Sequence, residues 1–438
     1  VVQVVFLRIG WLCLGEHRAP LHRTPMGRRG MRRAYKFRLR PTAKQHVALN
    51  RCLASHRELY NAALRERRDA YEVVVRNDPG YFGPTRATCP VRYGTQSAQL
   101  KGIREVRPEV AEWSFSSQQA TLRRLNKAFE AFFRRVKNGE TPGYPRFKSA
   151  HRFDSVEWPS NGDGCRWHPE AGRVYLQGIG HVKATVPRSV EGKVKTVSVK
   201  REGNKWYLVL SCDEVPAKLL EPTGQTAGID VGIASFLVTS EGVHVENPRH
   251  AKVAAESLGN AQQVLAAKLR GSNNRKVARA TVASRHRKVA NARRDFHHKT
   301  ALALVRSFDV LFLEDLKVTN MVRRAKPVHD QDNPGQFLPN GGSAQTGLNR
   351  SISDAGWAQF RSILCAKAED AGRQVVSVDP RHTSTTCHRC GHVEKANRVT
   401  QAVFTCRSCG FSAHADENAA WNIQRAGLAL LAASQQAA

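Results

Sequence analysis

Three acidic residues stand where an acid is costly unless something balances it. Asp230 interrupts an apolar run, AGIDVGIASFLV, and Glu314 closes another, VLFLED. An ionised carboxylate among such neighbours needs a cation or a hydrogen-bonding partner. Asp416 opens ADENAAWNI, where small residues recur at helical spacing. Taken singly, each has a plainer reading: a structural acid for Asp230, a helix N-cap for Asp416. Asp315 follows Glu314 directly, and the two-residue period of a strand does not say which of the pair points inward. Taken together, three acids from two strands and a late helix are a donor set for one or two Mg2+ ions, which take oxygen ligands. Two such ions about 4 Å apart promote phosphodiester hydrolysis, with water rather than a side chain as the expected nucleophile. Gly228 and Gly232 flank Asp230 and leave room for a close ligand or backbone.

A second constellation is sulfur-based. Cys387-x2-Cys390 and Cys406-x2-Cys409 are two short pairs separated by fifteen residues. That spacing delivers four thiolates to one tetrahedral Zn2+, and no position is left for water, so the site is expected to be structural. Gly391 and Gly410 follow the pairs and allow the tight turns. His388 and His392 are also near, but four cysteines complete the set. The ribbon precedes Asp416 directly, so it is expected to position that acid.

Composition narrows the partners. The 438-residue chain has 69 Lys and Arg against 37 Asp and Glu, a net charge of +32. Such an excess raises the energy of the compact state unless a polyanion neutralises it, and nucleic acid is the obvious one. Six of the ten cysteines (Cys13, Cys52, Cys89, Cys165, Cys212 and Cys365) are scattered singly, which suits a reduced, cytoplasmic compartment rather than a disulfide framework. The opening segment VVQVVFLRIGWLCLG is too short to span a bilayer and carries Arg8 within it, unlike a signal peptide. No membrane association is expected. Met31 looks like a natural start, which makes residues 1–30 an upstream extension expected to be disordered.

The acids must be held by regular elements. YKFRL (35–39) alternates like a half-exposed strand, Pro41 ends it, and Thr42 caps a helical stretch containing Leu49, Leu53, Leu59 and Leu64. Residues 77–90 are rich in Pro and Gly and read as a loop. A second helical block covers about 95–136, and GETPGYPRFK breaks it. Short alternating runs over 151–215 suggest a small β-barrel, and EPTGQT (221–226) reads as a linker. An α/β domain follows: a strand pair around Asp230, basic helices over about 251–306, the strand FDVLFLEDL, a helix over 354–371 and the strand RQVVSVD. Residues 268–299 hold eleven Lys or Arg against the single acid Asp295. Lying between two acid-bearing strands, they are expected to touch a nucleic-acid duplex. Phe37, Tyr60, Trp113, Phe129 and Phe147 are expected in the core.

The order Asp, Glu, Asp on strand, strand and helix resembles the RNase H-like fold of RuvC nucleases. GIDVGIASFLVTSEG, GSNNRKVARA, LFLEDLKVTNM, ISDAGWAQFR, TSTTCHRCG and ADENAAWNI, with GYPRFKS and YKFRLRPT, stand collinearly over about residues 32–425. As a set they resemble the TnpB proteins of insertion sequences. The resemblance implies an RNA-guided DNA endonuclease that pairs a guide RNA from the transposon end with double-stranded target DNA and reads a short adjacent motif. The oligomeric state is left open by the sequence, with a monomer as the expectation. It implies Asp230, Glu314 and Asp416 as the catalytic acids, which selects Glu314 over Asp315. Many relatives carry an Asp where this chain has His414, so a fourth carboxylate is not expected there. Tyr60, Asn61, Gln96, Gln99, Ser117 and Gln118 fall in the lobe that reads the adjacent motif, where amides can bond base edges. Arg146, Lys148, Arg275, Lys276, Arg279, Arg293 and Arg294 are the expected backbone contacts.

The expected fold is α+β and multidomain, an RNase H-like (RuvC) domain with an inserted zinc ribbon, a small β-barrel (wedge) and a helical recognition lobe. The boundaries are 1–30 for the extension, 31–44 for the first barrel strand, 45–138 for the helical lobe and 139–222 for the remaining barrel. The RuvC nuclease takes 223–386, the zinc ribbon 387–410, the last RuvC helix 411–430 and a tail 431–438. A compact type V CRISPR effector shares every motif. A non-cleaving zinc-containing regulator would be marked by loss of an acid, and none is lost. A strand-joining transposase would bind transposon ends without a guide.

Overall fold

A computed structural model describes residues 31–77, 91–331, 333 and 335–436. The expected extension at 1–30 and nearly all of the loop at 77–90 lie outside the described residues. The chain divides into two compact units, meeting in sequence between Pro216 and Ala217.

The first unit opens with β1 (Met31–Arg40), followed by α1 (Ala43–Asn77), α2 (Tyr93–Val106), α3 (Pro108–Ala111) and α4 (Phe115–Lys137). Thr42 and Gln45 exchange side-chain-to-backbone hydrogen bonds at the start of α1, the reciprocal cap that its sequence suggests. The expected second helical block is broken into three. Pro108 starts α3, and Ser114 caps α4 by accepting the Ser117 N–H. Strands β2 (Ser155–Trp158), β3 (Cys165–His168), β4 (Arg173–Leu176), β5 (Gly180–Thr185), β6 (Lys193–Glu202) and β7 (Lys205–Val215) follow. The sheet order is β2-β6-β7-β1-β5-β4-β3, and every pairing in it is antiparallel. Thus β1 is central, not half-exposed. Tyr35, Phe37 and Leu39 enter one core with helix residues Leu49, Leu53, Leu122 and Leu125. Lys36 on the other face is buried too, its ammonium 2.8 Å from Glu202 and over the Tyr207 ring. The expected barrel is a nearly closed sheet, in which edge strands β2 and β3 are not paired with each other among the described residues.

The second unit holds β8 (Thr226–Val231), β9 (Ser235–Thr239) and β10 (His244–Glu246). Next come α5 (His250–Val253), α6 (Ala255–Ala266), α7 (Asn273–Ser307), β11 (Val310–Glu314) and α8 (Val318–Met321). A short hairpin, β12 (Val328–His329) and β13 (Phe337–Leu338), precedes α9 (Gly342–Ala355), α10 (Trp357–Ala371) and β14 (Gln374–Val378). The ribbon strands β15 (Val403–Thr405) and β16 (Ser412–His414) lead into α11 (Ala415–Gln436). The sheet order is β10-β9-β8-β11-β14, with β8, β11 and β14 parallel and β9 antiparallel to β8 and β10. Helices cover both faces of this mixed sheet, the α/β arrangement expected of an RNase H-like domain.

Two boundaries differ from expectation. The helix expected over 354–371 starts at Trp357, because Gly356 takes a left-handed φ of 69° and separates it from α9. The last helix runs to Gln436, past the boundary at 430. The linker is pinned to the second unit, because Thr223 and Gly224 N–H groups both donate to the Asp309 carboxylate.

The two faces of the sheet have separate cores. Leu311 and Leu313 pack with Ala301, Leu304, Phe360 and Leu364 of α7 and α10. Phe312 packs with Val376, Val378 and Ile423 of α11 on the opposite face. Strand alternation then assigns Glu314 to the α11 face with Phe312, and Asp315 to the other.

Candidate active site and metal centre

Two glycines seat α11 on the sheet. A Cβ on Gly228 would lie 2.1 Å from the Ala420 carbonyl oxygen, and one on Gly427 would lie 2.0 Å from the Phe312 ring. The helix runs antiparallel to β8: the Gln424 side chain donates to the Thr226 carbonyl at 3.0 Å, and Gly228 faces Ala420. Two strand residues advance about 6.6 Å and four helical residues about 6 Å. The next step in this register therefore pairs Asp230 with Asp416 in the first turn of α11. Asp230 shares the face of Gly228, and Glu314 closes the parallel neighbour β11. Asp230 and Glu314 thus stand at the carboxyl ends of adjacent parallel strands, where α/β sheets bind ligands, with Asp416 on the same side near enough to act on Asp230 electrostatically.

The electrostatics follow from that meeting. Burial first, then the charges of Glu314 and Asp416, push the Asp230 carboxyl from 3.8 up to about 7, although Arg398 and the Val231 N–H oppose the shift. Burial also raises Glu314, against a hydrogen bond from Thr383. Asp416 is buried, and its Oδ1 accepts from the Arg398 guanidinium at 3.1 Å. Asp315 goes elsewhere. It pairs with Arg361 at 2.7 Å and with Lys317, and hydrogen bonds from both hold its carboxyl below the usual range. The alternative left open by periodicity thus closes on Glu314 as the neighbour of Asp230. Three carboxylates with one guanidinium between them are a donor set short of positive charge, which fits hard divalent cations.

The four cysteines converge. Their sulfurs all lie within 4.8 Å of one another, with Cys387 3.7 Å from Cys409 and Cys390 3.6 Å from Cys406. A metal bonded to four sulfurs at about 2.3 Å sets them about 3.8 Å apart, so the cage has the right size for one tetrahedral ion. Both short turns use left-handed glycines, Gly391 and Gly410, whose N–H groups donate to the Cys387 and Cys406 carbonyls. Neither nearby histidine competes: the His388 ring lies against Trp421 and His392 pairs with Glu394.

The ribbon is tied to the acid-bearing helix. Asn418 accepts the His388 N–H and donates to the Thr386 carbonyl, at 3.0 and 2.8 Å. Asn422 donates to the Thr383 and Thr386 carbonyls. Cys387, Cys406, Phe404 and Ala415 share a small core. His414 caps the junction, its Nδ1 accepting the Asp416 N–H at 3.3 Å. Sequence reasoning missed Arg398 and Thr383. Both lie far in sequence from the acids they touch, in segments with no apolar pattern to mark them.

The expected nucleic-acid contacts fare differently. Tyr60, Gln96, Ser117 and Gln118 are buried inside the first unit, which corrects their assignment to direct base reading. Gln96 bonds Arg67, Glu66 and the Ala63 carbonyl, Ser117 bonds His56, and Gln118 bonds Arg104 and the Val110 carbonyl. Gln99 is exposed but donates to Glu66. Asn61 clamps the Lys148 backbone through both its N–H and carbonyl, and Arg146 is exposed. Phe147, expected in the core, is 44% exposed with Arg68 over its ring. On α7, Arg275 donates to the carbonyls of Leu265, in the last turn of α6, and of Lys268 just after it, and Arg293 pairs with Asp354 at 3.0 Å. Lys276 and Arg279 are exposed and Arg294 is half-buried. No helix among the described residues is long and apolar enough to cross a membrane.

Comparison with known proteins places these features in a family. The IS605 OrfB model, described as "Probable transposase", matches residues 209–325, and its helix-turn-helix companion matches 31–73. The latter segment here is a strand followed by one long helix. The Cas12f1-like TNB domain matches 357–423 and so spans the cysteine ribbon. InsQ of Escherichia coli (strain K12), named as an RNA-guided DNA endonuclease, is 31% identical over 406 residues, covering 92% of this chain and 94% of its own. A protein of Streptomyces pristinaespiralis with the same activity in its name is also 31% identical, covering 91% and 90%. Cas12f1 of Sulfoacidibacillus thermotolerans, a CRISPR-associated endodeoxyribonuclease, is 29% identical over half of each chain. With a 31%-identical relative matched along nearly its whole length, the chain belongs to the TnpB/IS605 family.

Proposed function

We propose that this chain is an RNA-guided DNA endonuclease of an insertion sequence, cutting target DNA beside a short adjacent motif by Mg2+-dependent phosphodiester hydrolysis. The observation that carries the proposal is the convergence of Asp230, Glu314 and Asp416 on one face, close enough for two of them to raise the pKa of the third. Asp230, Glu314 and Asp416 would hold the divalent cations, and Cys387, Cys390, Cys406 and Cys409 a structural Zn2+. When bound, the cations supply charge neutralisation and water activation for in-line phosphodiester hydrolysis. Asp230 is the acid most in need of them, since burial and two like charges disfavour its ionised form. Arg398 holds Asp416 in one orientation and offsets part of the clustered negative charge. The site lies at the carboxyl ends of two central strands and a helix terminus, which favours fixed geometry over induced assembly.

The relatives' printed activities support the guide RNA and the DNA target, and the +32 net charge suits a chain that carries both. The match to InsQ along nearly its whole length, against half of Cas12f1, favours the transposon reading over the CRISPR one. The test is to purify the protein from cells carrying its own transposon end and sequence the RNA that co-purifies. A discrete transposon-end RNA is expected. A population matching bulk cellular RNA would overturn the guided reading.

A further inference from the structure

Thr383 combines three features that a bystander residue rarely has together. It is buried, at 7% exposure, and its hydroxyl donates to Glu314 Oε1. The Pro380 carbonyl, at 3.1 Å from the same oxygen, competes for that one proton, and a carboxylate is the stronger acceptor. The residue before it, His382, holds a left-handed φ of 63°, which costs a non-glycine residue about 1 kcal/mol or more. The strain is held in place: the His382 carbonyl accepts from the Thr386 N–H and hydroxyl, and Asn422 of α11 donates to the Thr383 and Thr386 carbonyls at 2.9 and 2.7 Å. Thr383 is therefore fixed in the turn after β14, tied by its carbonyl to Asn422 of the acid-bearing helix, four residues before the first ribbon cysteine, with its hydroxyl on the acid of a different element.

We propose that Thr383 is a positioning residue for Glu314. Its hydroxyl holds Oε1, and among the described residues Oε2 accepts no hydrogen bond, so it stays available to a divalent cation. The ribbon thus sets two of the three acids, Asp416 through the helix junction and Glu314 through Thr383. This inference rests on the proposed nuclease reading, in which Glu314 is a cation ligand.

The test titrates Mn2+ into the purified zinc-loaded chain and reads free Mn2+ by electron paramagnetic resonance, alongside the Mg2+ dependence of cleavage. Removing an outer-shell partner of a metal ligand lowers affinity about 10–100-fold. That loss is expected for Thr383→Val, with zinc content unchanged and the Mg2+ requirement raised by a similar factor. Thr383→Ser keeps the hydroxyl and should recover affinity to within about threefold, a rescue that a packing role would not give. Thr383→Ala removes the hydroxyl without the valine branch and decides the matter if the valine variant does not fold. Wild-type Mn2+ affinity in a folded Val or Ala variant would overturn the proposal. Wild type binding Mn2+ no better than Asp230→Ala would instead overturn the nuclease reading on which it rests.

Discussion

Replacing Asp230 by asparagine should stabilise the protein at neutral and higher pH when Mg2+ is withheld. Burial and the charges of Glu314 and Asp416 raise the carboxyl from 3.8 to about 7, a shift worth about 4 kcal/mol at 1.36 kcal/mol per unit. Asp230 is half-buried, and solvent screening brings the expected effect to roughly 2–4 kcal/mol. The sign follows from linkage. A folded-state pKa above the unfolded value means the fold binds the proton more tightly, so this stability is complete below about pH 4. It is lost as pH rises through about 7. Asparagine does not titrate and keeps its stability. The variant and wild type should therefore melt together near pH 4 and diverge up to pH 7, with a gap of roughly 5–10 °C above it for a unit of this size. Saturating Mg2+ should narrow the gap, because it binds the wild-type acid and not the amide. The assay is scanning calorimetry of Asp230→Asn and wild type at pH 4.5 and pH 8, with zinc retained and Mg2+ absent or present. Equal midpoints at pH 8 without Mg2+, or a gap as large at pH 4.5, would refute the clustering of the three carboxylates.

Two further perturbations separate the site from its scaffold. Glu314→Gln should lower cleavage by at least about 100-fold, as loss of a direct metal ligand implies, while Asp315→Asn should leave it within about threefold. The second variant loses only partly exposed ion pairs to Arg361 and Lys317, about 1 kcal/mol of stability; equal losses of cleavage would contradict the assignment by strand face. Gly228→Ala places a methyl 2.1 Å from the Ala420 carbonyl oxygen, and pushing α11 off the sheet should cost about 1–3 kcal/mol. Cleavage should fall further than folding does in circular dichroism; unchanged activity would mean that the seat of α11 does not set Asp416.

The acids and cysteines were legible in the sequence because their chemistry is expensive in context. An Asp inside GIDVGI or paired CxxC turns are patterns that packing alone does not produce. The strands and helices that carry them showed for the same reason, through periods of two and 3.6. What stayed hidden was long-range. Arg398 and Thr383 reach Asp416 and Glu314 across segments with no shared local pattern. The polar residues Gln96, Ser117 and Gln118 are interior because Arg67, Glu66, His56 and Arg104 satisfy them, and periodicity cannot show a partner three or more turns away. Asp315 and Glu314 separated only when helices α10 and α11 were seen on opposite faces. Likewise β1 gained its central place from strands β5 and β7, more than a hundred residues downstream.

The central claim, that Asp230, Glu314 and Asp416 cut DNA where a bound RNA directs them, is tested most directly by reprogramming. The zinc-loaded protein is assembled with its transposon-end RNA carrying either of two unrelated guide segments, and plasmids matching each guide are offered with Mg2+. The account predicts linearisation of the matching plasmid alone, with the choice switching when the guide is switched and disappearing in Asp230→Ala. Cleavage that ignores the guide, or that survives Asp230→Ala, would contradict it.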